Sequence, residues 1–416
     1  MHKFLLLFSI FCIFSSESTL SCPKSFTLVN NRCIQIFNKS SKHGEAEVTC
    51  SSFGGTLVTA KNAIDNRAIA LRAANAGLSS IWIGAFCFST NPSDCYWDDA
   101  SGTAPSYSNF AAGNPKLAGA GGCVYMNSKD GNWFSASCQV IGMPFICEVP
   151  ATVADSCPHN YNGYCYYPST DLSSTSLTHD KAQSLCSSKS MKLASIHSKM
   201  EHDYIKSLYK STKVTQIFLG ATASQPDVFK WEDGSKWDFD YTDPLAAKGS
   251  GNCLVMDVQG VGLWKEVNCA DANYFICKRK AGGPTASEEL QKIQMENQKA
   301  SDPIELDNSL CPTLPIAPGL FTSPLYPKVE TPLASCVYAL RALGPYKVGV
   351  YFTDFSTNWN VVQVFDENNN RLGSFLEDLA PFSVMCPSNI CTVQFSVSPY
   401  QNVARGFSAK FLPVSL

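Results

Sequence analysis

Positive charge is not in excess: Lys and Arg number 32 against 35 Asp and Glu, a formal net charge of -3 over 416 residues. Binding to nucleic acid or to an anionic membrane draws on a cationic surface, so neither partner fits. Long apolar runs are scarce too. Phe4 to Phe14 falls short of the about 20 residues that span a bilayer. Behind Met1-His2-Lys3 and ahead of Ser15 to Ser18 it reads as the core of a secretory signal peptide over residues 1–20, and no later stretch reaches spanning length. The marks of catalysis are missing as well. There is no Gly-x-Ser-x-Gly elbow, and Gly119-Ala120-Gly121-Gly122 lacks the Lys and Ser or Thr of a phosphate loop. His197 and His202 stand one residue too far apart for a zinc helix. His43, His159, His179, His197 and His202 all lie in polar stretches and read as exposed. An enzyme is not expected.

Cysteine, by contrast, is abundant, at 19 residues. Cys12 leaves with the signal, and the even remainder suits complete pairing in an exported protein. The spacing is duplicated. Cys50, Trp82, Gly84, Cys123, Trp133, Cys138 and Cys147 run in the same order as Cys186, Phe218, Gly220, Cys253, Trp264, Cys269 and Cys277. Two copies of one disulfide-stapled module are therefore expected, over residues 22–150 and 156–280 with a short joint at Thr152 to Ser156. Each opens on a close Cys pair, Cys22 with Cys33 and Cys157 with Cys165. In each, a helix with one buried face is expected: Ile64, Ala68 and Leu71 in the first copy, Met200, Tyr204 and Leu208 in the second.

From Ala281 to Leu310 the chain is rich in Glu, Gln, Lys, Ser and Pro, without cysteine or aromatic residues, and reads as a linker. Residues 311–416 change to period two: Val348, Val350 and Phe352; Val362 and Val364; Val393, Phe395 and Val397; Phe407, Ala409 and Phe411. Turns at Asn368-Asn369-Asn370 and Pro387-Ser388-Asn389 complete the pattern of an antiparallel β-sandwich. Its cysteines pair most simply in sequence, Cys311 with Cys336 and Cys386 with Cys391, the latter closing a tight hairpin.

The repeated unit resembles the C-type lectin-like domain. The likeness rests on Ile81-Trp82-Ile83-Gly84-Ala85 and Ile217-Phe218-Leu219-Gly220-Ala221, on the turns Trp97-Asp98-Asp99-Ala100-Ser101 and Trp231-Glu232-Asp233-Gly234-Ser235, and on Phe-Ile-Cys at Phe145 to Cys147 and Phe275 to Cys277. The last domain resembles a CUB domain through Gly319 to Pro327, the strands around Phe352 and Phe365-Asp366, and Gly406 to Ala409. Two lectin-like domains followed by a CUB-like domain is an architecture similar to that of secreted nematode proteins. The implied fold class is α+β, with a C-terminal all-β sandwich. The implied bridges are Cys22 with Cys33, Cys50 with Cys147, Cys123 with Cys138, Cys157 with Cys165, Cys186 with Cys277 and Cys253 with Cys269. Cys87 and Cys95 are left to form a local staple.

Sugar-binding members of that family hold Ca²⁺ with carboxylate and amide oxygens from two triplets, because calcium takes six to eight oxygen ligands. At the matching positions the first copy has Asn114-Pro115-Lys116 and Trp133-Phe134-Ser135, in which Lys116 opposes a cation and Phe134 brings no ligand. The second has Asp243-Pro244-Leu245 and Trp264-Lys265-Glu266. Asp243 and Glu266 would support at most a weak, millimolar calcium site, and the plain alternative is a solvated acidic loop. Trp237 and Tyr241 are candidates for stacking on a sugar or for the core. In the CUB-like domain Asn360 leaves the carboxylate set incomplete, and Asp354 and Asp366 read as loop and hairpin residues. No cofactor is expected. Asn38-Lys39-Ser40 is the one glycosylation sequon. The ligand candidates are thus Asn114, Asp243 and Glu266, and the implied partners are glycans or glycoproteins. The implied role is extracellular recognition, including innate immune recognition; the alternative is calcium-independent protein binding or matrix adhesion.

Overall fold

In the computed structural model the described residues are 20–99, 107–117, 122–172, 175–225, 228–246, 251–282, 311, 316–329, 334–398 and 403–415. Residues 1–19 of the expected signal segment, the tail of the Trp97 turn, Gly119 to Gly121 and the linker beyond Gly282 lie outside them, whereas Leu20, the last residue assigned to that segment, is described. The start of that linker is not loose: Ala281 is buried and the Gly282 N–H donates to Asp155.

The two copies build the same mixed sheet. In the first, the strand order is Thr27–Val29, Arg32–Ser41, Met143–Pro150, Ser80–Cys87, Gly122–Asn127 and Trp133–Ala136. In the second it is His159–Tyr161, Tyr164–Pro168, Tyr274–Lys280, Gln216–Gln225, Cys253–Asp257 and Trp264–Val267. Each has one parallel contact at its centre, through Trp82 and Phe145 or Phe218 and Phe275, so the central strand is covered on both faces and reads as a continuous apolar run. The glycine of that run is there for space. A Cβ on Gly84 would stand 2.5 Å from the Leu57 carbonyl oxygen, and on Gly220 2.4 Å from that of Leu193.

Among the described residues two α-helices flank each sheet: α1 (His43–Ser51) and α2 (Ala63–Asn75), then α3 (His179–Ser188) and α4 (Lys199–Leu208). The cap side chains of Asn62 and Ser198 accept the N–H of Asp65 and Glu201, and those acids sit in the first turn, where the helix dipole favours them. The buried faces differ from the expected ones. Ile64 and Leu71 are 75% and 57% exposed, and α2 buries Asn66, Ile69, Ala70 and Ala73 instead. Asn66 can be inside because its amide is paired twice, accepting from the Trp133 indole at 2.7 Å and donating to Gly131 at 3.0 Å. In α4, Met200, Tyr204 and Leu208 are only half-buried, while Lys199, Glu201, His202, Asp203 and Ile205 are inside.

The described residues between 316 and 415 form the all-β sandwich. One antiparallel sheet runs Gly319–Thr322, Gly406–Val414, Lys347–Ser356 and Asp378–Leu379, with Phe382–Met385 also on Lys347–Ser356. The facing sheet runs Cys336–Arg341, Ile390–Ser396, Val361–Phe365 and Arg371–Phe375. Val348, Val350, Phe352, Val362, Val364, Val393, Phe395, Phe407, Ala409 and Phe411 meet in its core.

Among the described residues nine disulfides join Cys22 to Cys33, Cys50 to Cys147, Cys87 to Cys95, Cys123 to Cys138, Cys157 to Cys165, Cys186 to Cys277, Cys253 to Cys269, Cys311 to Cys336 and Cys386 to Cys391. Cys386 to Cys391 does not close a hairpin. Phe382–Met385 and Ile390–Ser396 belong to opposite sheets, so the bridge ties the passage between them. Asp354 lies on a strand, at a register shift, and pairs with Arg405 at 2.5 Å. Asp366 does serve a hairpin turn, accepting the N–H groups of Asn368 and Asn370. Asn360 is buried, with its amide on Thr357. Asn38 is exposed, where strand pairing lapses between Phe37 and Ser41.

The joint between the copies is a strand rather than a free hinge, because Thr152–Val153 pairs with Leu20–Ser21. Across it the Tyr161 hydroxyl donates to the Gly54 carbonyl at 2.6 Å, and the Tyr161 ring stacks on Tyr204. Gly54 has φ +72°, and a Cβ there would come within 2.7 Å of the Tyr204 Cβ. Gly54→Ala should therefore cost about 2 kcal/mol or more through left-handed strain and the clash. The expected readout is a lower thermal midpoint and faster proteolysis at residues 152–156; an unchanged cleavage rate would contradict the contact.

Candidate functional site

The long loop of the first copy is anchored on Trp133, which is fully buried and donates its indole N–H to Asn66. Trp97, Tyr107 and Phe110 meet its ring edge-on. Main-chain bonds from Trp133 to Asn109 and from Ala111 to Trp133 fix the loop base. Beyond it, the positions that would serve calcium are tied to one another. Asn114 Oδ1 accepts the Ser135 N–H at 3.4 Å, while Ser135 Oγ accepts the Lys116 N–H at 2.5 Å and donates to the Lys116 carbonyl at 2.7 Å. The Asn114-Pro115 peptide is cis, and Phe134 stacks on Tyr125. Protein bonds replace the ion here, so these residues do not fit a calcium cage. Lys116 and Leu117 stay exposed at the tip.

The equivalent loop of the second copy has the same base. Trp264 donates its backbone N–H to Tyr241, and Asp243 donates to the Trp264 carbonyl at 2.8 Å. Trp231, Trp237 and Phe239 crowd the Trp264 ring. Here, though, the third domain covers the loop. The Tyr241 hydroxyl donates to the Pro413 carbonyl, and Asp240 pairs with Lys410 at 3.5 Å. Tyr351, Leu412 and Val414 join one apolar cluster with Tyr241 and Leu245. Burial pushes the Tyr351 phenol up to about 12, and the Asp243 carboxylate adds to that. Tyr241 is therefore an interface group, and Trp237, half-buried, packs on the same cluster.

Asp243 Oδ1 accepts the Leu245 N–H at 3.0 Å, and Glu266 lies on Trp264–Val267 opposite Leu254. Among the described residues, no third carboxylate, imidazole or thiol joins these two in a compact ligand set. The pair does not fit calcium, which needs many more oxygens. Asn114, Asp243 and Glu266 mark corresponding loops and share no common site.

Reading the histidines as exposed missed two buried polar clusters. His43, His179 and His202 are each 2% exposed or less. One signal was available: His43 and His179 both stand seven residues before a helix cysteine, Cys50 and Cys186, a repeat that a solvated residue would not need. The larger cluster is where the third domain meets α4. Asp203 accepts from the Lys199 ammonium and from the Tyr346 hydroxyl of the third domain. His202 lies between Asp203 at 3.1 Å and the Gly262 carbonyl at 2.8 Å. The Lys199 ammonium also sits 4.1 Å over the Tyr346 ring. Nearby, Arg341 pairs with Asp94 at 3.3 Å and covers the Phe88 ring, and the Gly344 N–H donates to Asp98 at 3.2 Å.

A model of the Lectin C-type domain matches residues 39–149 and 175–279, and a CUB domain model matches residues 313–411. C-type lectin domain-containing protein 38 of Caenorhabditis elegans is 33% identical over 273 residues, covering 64% of this chain and 69% of that protein. Human lymphocyte antigen 75 is 26% identical over 259 residues, 57% of this chain but only 14% of its own length. Among solved structures, the cow CD23 carbohydrate-recognition domain, determined in the presence of a GlcNAc2Man3 oligosaccharide, matches at 25% identity and TM-score 0.28. It covers 32% of this chain and 98% of that one. A calcium-independent type II antifreeze protein matches at 26% identity and TM-score 0.27, covering 31% and 98%.

Burial would raise the Asp203 carboxyl, yet Lys199 and His202 hold it well below the usual range. A folded value below the unfolded one of about 3.9 means a contribution present above about pH 4 and lost as pH falls through the folded value. Asp203→Asn should cost about 3 to 5 kcal/mol near pH 7, since it leaves Lys199 buried and unpaired. In thermal scans from neutral pH into strong acid, the gap between variant and parent should narrow; a constant gap would contradict the assignment.

Proposed function

Since the chain belongs to the C-type lectin domain family, with a CUB domain behind its two lectin domains, we propose that it is a secreted recognition protein that binds glycans or glycoproteins without calcium through the loop of its first lectin domain. The observation that carries this is the contrast between the two loops. In the second lectin domain the loop packs on the third domain, whereas in the first Ala112, Gly113, Lys116 and Leu117 stay exposed around a buried Pro115, and the turn is shaped by the Asn114, Ser135 and Lys116 bonds. Bonds already made need no ion to order the loop, and the exposed Lys116 offers donors to sugar hydroxyls. Extracellular recognition of this kind would serve innate immunity.

Apolar groups favour a second reading, capture of a protein partner by the same domain. Leu117, Val140 and Ile141 are 41%, 81% and 40% exposed, more apolar surface than a hydrated sugar rewards. A glycan array run with millimolar Ca²⁺ and in calcium-free buffer tests both. Equal glycan signal in the two buffers, reduced several-fold by Lys116→Ala, is the expected result. Calcium-dependent binding would sink the first reading. No glycan signal, with a protein ligand lost in Leu117→Ser, would move the conclusion to the second.

A further inference from the structure

His43 opens α1, Glu47 follows one turn later on the same face, and Asp98 reaches them from the turn after Cys95–Trp97. The three are 2%, 6% and 5% exposed, and one ligand atom from each lies within 4.8 Å of the others. Their hydrogen bonds leave a deficit of protons. His43 Nε2 is 3.2 Å from the Ile83 carbonyl oxygen, which can only accept, so that nitrogen carries the hydrogen. In the neutral ring Nδ1 is then a bare lone pair, and it faces Glu47 Oε1 at 3.2 Å. Asp98 Oδ1 accepts the Gly344 N–H of the third domain, while the buried Oδ2 meets no donor except a protonated Glu47 carboxyl. The Lys61 ammonium is engaged with Asp99 at 2.5 Å. With both carboxyls ionised, three acceptors converge in a dry site with no donor between them, a costly arrangement unless a cation enters or Glu47 takes a proton toward Asp98.

We propose that His43, Glu47 and Asp98 bind one divalent transition-metal ion of the zinc class. Three ligands of nitrogen and oxygen type suit zinc, whereas calcium and magnesium want six or more oxygens. The 3.2 Å between His43 and Glu47 is close to the edge of about 3.3 Å for a tetrahedron with bonds of about 2.0 Å. The outer nitrogen held by a backbone carbonyl is the support that metal-ligating histidines ordinarily have. Two carboxylates cancel the charge of the ion, so the buried cluster becomes neutral. The second copy serves as an internal control. His179 keeps its place, with Leu219 as its carbonyl partner, but Gln183 replaces Glu47 and binds the Leu193 N–H, and Glu232 stands 3.8 Å away. Because Asp98 also holds Gly344, the ion would fasten the first lectin domain to the third domain.

The test uses the untagged full chain, secreted in oxidised form, exchanged into metal-free buffer and titrated with Zn²⁺. Elemental analysis and calorimetry should find roughly one ion per chain, with a higher thermal midpoint. Co²⁺ should give a visible absorption band in the parent. Glu47→Gln and Asp98→Asn, close to isosteric, should each lose the ion and the thermal gain, while Glu232→Gln in the second copy should lose neither. Absence of stoichiometric Zn²⁺ and of a Co²⁺ band in the folded parent would overturn the proposal, as would an ion kept by both variants; protons shared between Glu47 and Asp98 would then fill the site. The glycan reading stands or falls separately, on the array.

Discussion

The short segment from Arg341 to Tyr346 holds the molecule together. Its first half reaches the first lectin domain, where Arg341 meets Asp94 and Phe88 and Gly344 meets Asp98. Its last residue reaches the second, where Tyr346 binds Asp203 and lies under Lys199. A buried carboxylate cannot stay charged alone, so Asp203 fixes where Lys199, His202 and Tyr346 must stand and thereby fixes how the domains meet. The two lectin domains are also locked directly, by Tyr161 over Gly54 and by the strand pair that encloses their joint. The tandem arrangement is thus not two free heads available for avidity. The loop of the first domain is left uncovered by the third, and that of the second is part of the internal joinery.

Much of the scaffold was legible because its signals are local. The Trp-Ile-Gly and Phe-Leu-Gly runs needed only the rule that a continuous apolar stretch with a glycine marks a strand covered on both faces. The period-two runs of the last domain became its core for the same reason, with Val348, Val350 and Phe352 on one face. The helix faces were misread because hydropathy ranks Ile64 above Asn66. Burial follows satisfied bonds as well as hydropathy, and Asn66 has a partner for each of its polar atoms while Ile64 has nothing to pack on. The same error hid His43, His179 and His202. Nor could period or spacing reveal that Tyr241 and Tyr351 share a cluster, since the contact joins residues more than a hundred positions apart.

The duplicated copies show how polar chemistry drifts on a fixed frame. The residue after the closing cysteine is Glu148 in one and Lys278 in the other, opposite charges at matched positions. Glu148 takes Arg32 at 2.6 Å and the Thr59 N–H. Lys278 takes Glu201 at 2.6 Å and the Ser195 carbonyl. Each buried charge has found its complement within its own domain, so the sign could invert without disturbing the sheet. Such exchanges are tolerated because the disulfides and the central strand, not these pairs, define the fold.

The loops around Asn114 and Asp243 follow the same logic. A loop ordered by a bound ion stays exchangeable, which suits a surface that must be switched by ion supply but not one that must hold a neighbouring domain. In the second copy Tyr241, Asp240 and Leu245 have taken on the docking role, and a loop packed against Leu412 and Val414 gains its order from that contact. In the first copy Ser135 closes the Asn114 to Lys116 turn with short main-chain bonds, so the loop is ordered before any ligand arrives. Pre-ordering lowers the entropic cost of binding, and that gain persists in any ionic medium. In both loops fixed protein bonds, rather than an ion, supply the order: Ser135 with Asn114 and Lys116 in the first, Tyr241 and Asp240 on the third domain in the second.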